Sequence, residues 1–589
     1  MKLLIRSLPT RTWSQDSRRG PEALATRRDC IGSLKSLGIM FAVCSLLSVS
    51  RGVCQASEPF YPGLGTYKRH ITTNSPLAER YFNQGLAFLH GFNHGAAIRS
   101  FREAERIDPQ CAMAHWAIAQ ASGPHINFPI VPPPAAALAW TELKLAAKCS
   151  TNASAVEKDL LAALSVRYGN PQPEDRSGLD LAYANKMRKV WAAHPTDPDV
   201  GAFFAEAMLD LRPWDQWTLD GKPQPGTVEI LDTLRKVLAL SPKHPFANHL
   251  YIHTVEASPH PERADGAADL MRTLQPGISH NVHMPSHIDI HRGRWRESII
   301  ANLKAVEADR KYRAIVGPAT GFLPVYIAHN EHMLAYSAMM IGRSKLAIDH
   351  IRAMEAGLPE GFVKEYAPLV ESFYTMPLEV LIRFGKWDEI LAEPDKYKEY
   401  MPFARAFRHA ARAVAQSAKG NTTGARREQE LFATSAALVP KEVSSGNNSA
   451  ADIVALVAHM VEGELSVREG NLENGLTGLR SAVALEDTLK YDEPPGWLIP
   501  VRHTLGASLM NGGRYAEAET VYREQLRRAP GDGWALYGLS QSLHAQGKHA
   551  VATTVDTEFK KAWAGADTTI TSSCLCLPAK SVRAGGAPR

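Results

Sequence analysis

The stretch "LGASLMNGGRYAEAETVYREQLRRAP" at residues 505–530 decides the fold. It places one small residue in each of two predicted helices, Gly506 and Ala518, adds the bulky Tyr522, and ends on Pro530. Small residues let two antiparallel helices approach each other, the bulky residue fills the space between helix pairs, and proline ends the second helix. The stretch therefore predicts an antiparallel helical hairpin.

The same unit recurs along the chain. In "WALYGLSQSLHAQGKHAVATT" (534–554), Gly538 and Ala550 follow the equivalent residues of the first unit by 32 positions. The segment "NQGLAFLHGFNHGAAIRSFREAERIDP" (83–109) fits equally well. Further tight-turn glycines lie between these ends at uneven intervals, at Gly293, Gly342, Gly385, Gly420 and Gly470. Because no run predicts a β-strand, we expect an all-α, irregular solenoid of antiparallel helical hairpins.

The residue spacing resembles that of the tetratricopeptide repeat (TPR) superfamily. Longer segments resemble a group of exported bacterial TPR-containing proteins of unestablished activity, and the likeness covers most of residues 70–570. The segments are "YFNQGLAFLHGFNHGAAIRSF" (81–101), "DLRPWDQWTLDGKPQPGTVEI" (210–230), "HLYIHTVEAS" (249–258), "HMPSHI" (283–288) and "YIAHNEHM" (326–333). The resemblance implies a TPR-like fold and export, and it implies no particular reaction.

The N-terminal segment accounts for the positive charge of the chain. Residues 1–56 hold nine of the 66 Lys and Arg residues but only three of the 61 Asp and Glu residues, so the remainder is close to neutral. A near-neutral body predicts no nucleic-acid partner. The apolar run "LGIMFAVCSLLSVS" (37–50) is short for a membrane span and predicts an export signal with cleavage after Ala56.

Two routes of export fit this signal. The pair Arg27–Arg28 is typical of a twin-arginine signal, which exports folded proteins, and a general secretion signal is the alternative. Assuming a bacterial source, we expect a periplasmic or extracellular protein with no transmembrane span in the mature chain, and an uncleaved membrane anchor is a lesser alternative. The expected segments are a signal peptide (1–56), N-terminal TPR-like hairpins (57–211), His-rich central repeats (212–360), irregular helical hairpins (361–490), C-terminal TPR repeats (491–566) and a disordered tail (567–589).

Two histidine pairs stand one repeat length apart in the central repeats. His249 and His253 are followed at the same interval by His283 and His287, first to first and second to second. Counted along the TPR consensus, each pair occupies the fifth and ninth positions, which face the concave groove. Because stacked repeats align equivalent helix faces, we expect the two pairs to lie side by side.

Other candidate ligands lie near these pairs, and ten of the 22 histidines fall between His244 and His332. Imidazoles and a carboxylate on one face are the ligands that Zn²⁺, Cu²⁺ or Fe²⁺ prefers. The predicted metal ligands are His249, His253, His283, His287, Glu256, His329 and His332. Glu256 and His332 are also the candidate acid–base residues. One tetrahedral ion cannot use so many ligands, so some act as supporting partners or the site holds two ions.

Pro285 complicates the second pair. A proline inside a helix removes a hydrogen bond, so we expect the helix to begin near Met284 with Pro285 in its first turn. His280 and His283 would then lie on the preceding loop, with His283 still able to reach inward. His125 could reach the same groove, although a cap or turn is the default interpretation of its segment. Trp214 could lie in a lid over the groove, although a packed aromatic loop is the favoured interpretation.

The alternative function is a protein- or peptide-binding TPR scaffold with no catalytic activity. Peptide clamps of this kind use Lys, Arg and Asn in the groove, where this chain has His and Glu. No P-loop, dinucleotide-binding fingerprint, Gly-x-Ser-x-Gly or His-Glu-x-x-His motif is present, so we expect no nucleotide cofactor. Whether the protein is an enzyme stays open, as does a Cys111–Cys149 disulfide.

Overall fold

The computed structural model describes residues 57–577. The predicted signal peptide (1–56) and residues 578–589 lie outside this part of the chain. The helices of the first half are α1 (Pro76–His90), α2 (His94–Ile107), α3 (Ala112–Ala121), α4 (Pro133–Cys149), α5 (Ala155–Leu164), α6 (Ser177–Ala193), α7 (Pro198–Leu209), α8 (Thr227–Leu240), α9 (Pro245–Val255), α10 (Asp265–Leu274), α11 (Ser279–His283), α12 (Pro285–His291), α13 (Trp295–Val316) and α14 (Leu323–Met340).

The second half continues in the same way. Its helices are α15 (Ser344–Gly357), α16 (Glu360–Glu365), α17 (Ala367–Val370), α18 (Met376–Arg383), α19 (Trp387–Ala392), α20 (Pro402–Ala418), α21 (Thr422–Ala436), α22 (Ala450–Arg468), α23 (Leu472–Glu486), α24 (Val501–Asn511), α25 (Tyr515–Arg528), α26 (Gly533–Ala545) and α27 (His549–Ala562). Short 3-10 turns occupy Ser150–Asn152, Pro261–Ala264 and Glu371–Tyr374. The only strands among the described residues are β1 (Ser444–Ser445) and β2 (Asn448–Ser449), which pair antiparallel.

The small residues of the repeat allow the close packing that the sequence predicts. A Cβ atom on Gly506 or on Gly538 would overlap the ring of Tyr522, so this one ring fills the space between α24, α25 and α26. In the N-terminal unit at residues 83–109, a Cβ on Gly85 would overlap Phe101 in the same way. Neighbouring helices contact each other along most of the described chain, most extensively in the pairs α20–α21, α22–α23, α1–α2 and α14–α15. The described residues therefore form the predicted all-α, TPR-like α-solenoid.

Two hydrophobic clusters fill the solenoid, and they meet in the central repeats. One runs from Tyr61 to Tyr326 and the other from Ile290 to Leu577, so α12, α13 and α14 contribute to both. The described residues from Pro59 onward form one compact unit. The finer boundaries at 211, 360 and 490 stay predictions. None of the described helices combines the length and the apolar character that crossing a membrane requires.

The predicted disordered tail is wrong for residues 567–577. Ile570 and Leu577 are buried in the second cluster, and Cys574 forms a disulfide with Cys576. Ser573 donates a hydrogen bond to the carbonyl oxygen of His503 (2.8 Å). The Ser, Thr and Gly composition of 567–589 suggested disorder, but four apolar or sulfur side chains in this stretch find buried positions. Cys111 and Cys149, in contrast, are both free.

Candidate metal centre

Helix α9 presents the first histidine pair. Its N-terminus is set by Pro245 in the first turn and by His244, whose Nδ1 accepts from the backbone N–H of Ala247 (3.2 Å). His253 follows His249 by four positions, so both side chains lie on one face of the helix. Each is almost fully buried, with exposed fractions of 0% and 4%.

The second pair lies across a break between two short helices. As predicted, α12 begins at Pro285, but His280 and His283 lie in α11 and not in a loop. Met284 between the helices keeps helical dihedral angles (φ −49°, ψ −35°). Pro285 removes one backbone hydrogen-bond donor, but the chain continues in the same direction. The side chains of His280, His283 and His287 therefore still share one face.

Three imidazoles form what we call the first triad: His249, His253 and His280. Their ligand nitrogens all lie within 4.8 Å of one another. His249 Nδ1 donates to the carbonyl oxygen of His90 (2.8 Å), and His253 Nδ1 donates to Glu256 Oε1 (3.0 Å). These bonds leave each Nε2 with a lone pair, and both Nε2 atoms are buried without a hydrogen-bond partner. Neither ring nitrogen of His280 has a partner.

A second triad consists of His283, His287 and His329, whose ligand nitrogens also lie within 4.8 Å of one another. His283 Nδ1 donates to Asn302 Oδ1 (2.6 Å), because the Asn302 amide nitrogen already donates to the Ser298 carbonyl. His283 Nε2 then faces His287 Nε2 at 2.7 Å. His329 comes from α14, is half-buried, and meets His283 edge to face with ring centroids 4.5 Å apart.

Two carboxylates hold the second pair of histidines in place. His287 Nδ1 lies 2.6 Å from Glu256 Oε2 and 2.8 Å from Glu493 Oε2. Because the other oxygen of Glu256 accepts from His253, this one carboxylate links the two triads. Carboxylates that accept the Nδ1–H of a histidine fix its ring orientation and make Nε2 the ligand atom. Glu256 supports both histidines through these hydrogen bonds, and because its carboxylate also lies within 4.8 Å of ligand nitrogens of His253 and His287, its role as a metal ligand stays a prediction.

The burial of the centre sets its protonation. Burial lowers the pKa of His249, His253, His280, His283 and His329, so these rings are held in the neutral form that binds a metal.

His287 is the exception in this cluster. Burial alone would lower its pKa as well, but the carboxylates of Glu493 and Glu256 outweigh that effect and raise the pKa to about 10. With no metal bound, His287 is therefore a cation hydrogen-bonded to two carboxylates.

Sequence reasoning missed two members of the centre and included one that lies apart. His280 was placed on a loop, although it precedes His283 by three positions just as His329 precedes His332. Glu493 lies far from both histidine pairs along the chain, outside any repeat motif, and no sequence signal points to it. His332 belongs to neither triad: its ring meets Phe373 edge to face at 6.1 Å.

Aromatic side chains surround the centre. Trp214 is half-buried and lies edge to face against His253, with ring centroids 5.4 Å apart, so the 212–226 loop contacts this cluster. Phe92 lies 4.5 Å from His249, again between ring centroids, and His125 stacks on the same phenylalanine at 4.5 Å. His125 thus reaches the edge of the cluster.

Comparisons with known proteins find similar solved structures but no family model and no curated protein that matches the chain. Among solved structures, a human IFIT1 dimer with PPP-AAAA is 14% identical and gives a TM-score of 0.31, with 82% of this chain and 89% of that chain covered. The APC/C hetero-tetramer Cut9–Hcn1 is 12% identical, with a TM-score of 0.28 and coverage of 82% and 73%. Similarities this low carry no argument about activity.

Proposed function

We propose that this protein is a TPR-like metalloprotein that binds a transition-metal ion through His249, His253 and His280. The observation that carries the proposal is the set of buried imidazole nitrogens without partners in the first triad. A buried polar atom without a hydrogen bond costs about 1–3 kcal/mol, so several of them aimed at one point call for a ligand. Imidazole nitrogens suit Zn²⁺, Cu²⁺, Ni²⁺ and Fe²⁺.

The donor set also limits what the ion can do. Three protein ligands leave a coordination position open to water or substrate, which is the pattern of catalytic rather than closed structural zinc sites. An ion in this position lowers the pKa of bound water or polarises a substrate oxygen. Glu256 holds His253 by its Nδ1–H, and Trp214 of the 212–226 loop packs against His253. The donor set alone names no reaction.

A second candidate function is peptide binding in the C-terminal repeats. Residues 570–577 of the chain itself lie there without helical structure, and Arg383 donates to the carbonyl oxygen of Ser573 (3.1 Å). His503, whose carbonyl accepts from Ser573, occupies the same fifth consensus position as His249. This groove therefore accommodates a non-helical segment, as a peptide-binding TPR domain does.

Elemental analysis tests the metal proposal. The chain is purified without a His-tag or chelator beside a His253→Ala/His287→Ala double variant, with circular dichroism as the check on folding. We expect a single kind of transition metal in the wild-type protein and its loss from the folded variant. No metal in either protein, even after reconstitution with Zn²⁺, Cu²⁺ and Fe²⁺, would refute the metal proposal and favour peptide binding. Pull-down experiments would then test peptide binding.

We also propose that the protein is exported, on the basis of the basic and apolar residues of 1–56. Replacing Arg27 and Arg28 by lysine in a bacterial host separates the two routes. If the twin-arginine route is used, the variant stays in the cytoplasm. Periplasmic material at the wild-type level would show general secretion, and no periplasmic material from the wild-type chain would contradict export.

A further inference from the structure

The two triads are built from the same positions of successive repeats. His249 and His253 occupy the fifth and ninth positions of one repeat, and His280 occupies the second position of the next. His283 and His287 are again fifth and ninth, and His329 is again second in the repeat that follows. The histidine arrangement has therefore been repeated together with the helical hairpin, and each copy brings three imidazole nitrogens within 4.8 Å.

The pattern ends at the third repeat. His332 is at the fifth position, but the ninth is Tyr336 and the second position of the following repeat is Ser372. With only one histidine left, no third triad forms, and His332 instead packs against Phe373. The two complete copies thus differ clearly from the incomplete one.

The hydrogen bonds of the second triad also call for a cation. His283 Nδ1 donates to Asn302, and His287 Nδ1 donates to the carboxylates of Glu256 and Glu493. The two Nε2 atoms face each other at 2.7 Å, so in the metal-free protein the protonated His287 donates its Nε2–H to the lone pair of His283. Two lone pairs at this distance repel unless a proton or a metal ion lies between them. His329 adds a third nitrogen to the same point, and a shared proton has no use for a third nitrogen.

We propose that the second triad binds a second transition-metal ion, which makes this a two-ion centre with one ion in each triad. This inference rests on the proposed function of the first triad. Glu256 touches a histidine of each triad and couples the two ions through its two oxygens.

Counting metal equivalents tests this proposal. The apo-protein is titrated with Zn²⁺ against a chromophoric chelator, and bound metal is measured by elemental analysis after desalting. We expect two equivalents for the wild-type protein, one for His280→Ala and one for His329→Ala. His332→Ala is the matched control, because this buried histidine lies one turn from His329 on α14 but belongs to no triad. It should keep two equivalents.

The outcomes separate the two proposals. One equivalent in the wild-type protein, lost in His280→Ala and kept in His329→Ala, would overturn the second site and leave the first intact. No bound metal in the wild-type protein would overturn both. If His329→Ala does not fold, judged by circular dichroism, His329→Gln serves instead, since it keeps the size and polarity of this half-buried side chain and is also expected to bind one equivalent.

Discussion

Replacing Glu256 by glutamine should weaken metal binding while leaving every histidine ligand in place. The carboxylate accepts two hydrogen bonds, from His253 Nδ1 at 3.0 Å and from His287 Nδ1 at 2.6 Å. An amide offers one oxygen acceptor and one N–H donor. In Glu256→Gln, the amide oxygen can accept from only one of the two rings, and the amide N–H₂ group faces the Nδ1–H of the other. His287 still has Glu493 as an acceptor, but His253 has no other one, so where the amide oxygen turns to His287, His253 must move its proton to Nε2 and loses the lone pair that binds the metal.

The size of the effect follows from losing one supporting hydrogen bond. Substitutions of such partners typically reduce metal affinity about 10- to 100-fold, or roughly 1.4–2.7 kcal/mol. Competition with a chromophoric chelator at neutral pH measures the affinity, and circular dichroism checks the fold. Glu262→Gln is the control, because this exposed glutamate bonds His260 and neither triad, and its affinity should match wild type. Wild-type affinity in Glu256→Gln would refute the supporting role of this carboxylate.

Three further predictions concern the scaffold. In Gly506→Ala the new Cβ would lie 2.5 Å from Tyr522 Cε1, so the free energy of unfolding should fall by about 1–3 kcal/mol in urea titrations. Gly178→Ala, with no atom within 4 Å of its Cβ, should not lower it, and equal losses in both variants would contradict this packing role. Burial raises the pKa of Glu379 from 4.5 to about 7, so folding binds a proton between these values and wild-type stability falls as the pH rises through them. In Glu379→Gln, the decline in the free energy of unfolding across this pH range, measured by urea titration, should be smaller by at most roughly 3 kcal/mol. If the free energies of the wild-type protein and the variant change in parallel with pH, Glu379 does not titrate in this range. Ending the chain at residue 569 removes the buried 570–577 segment and should lower the urea midpoint, whereas an unchanged midpoint would mean that this segment adds no stability.

The sequence predicted the fold because its signals are local and repeated. Gly506, Ala518 and Tyr522 report a hairpin within a single repeat, and the same spacing returns elsewhere in the chain. The groove register of His249 and His283 followed from the same repeat. Each of these predictions needs only helix geometry and the stacking of neighbouring hairpins.

The parts that could not be predicted depend on long-range packing or on one local backbone detail. Glu493 reaches His287 from a segment that is distant along the chain, and nothing in its own neighbourhood indicates the contact. His280 was misplaced because Pro285 suggested a loop, whereas the chain keeps helical dihedral angles through Met284. Ile570 and Leu577 are buried in a segment whose composition alone suggested disorder.

Crystallography with anomalous scattering at the absorption edge of the bound metal tests the central claim most directly. The account predicts an anomalous peak bonded to His249 Nε2, His253 Nε2 and one ring nitrogen of His280, at about 2.0–2.1 Å for zinc. Crystals grown with the metal that show no anomalous peak among these three rings, and ordered water bonded to the two Nε2 atoms in its place, would contradict it.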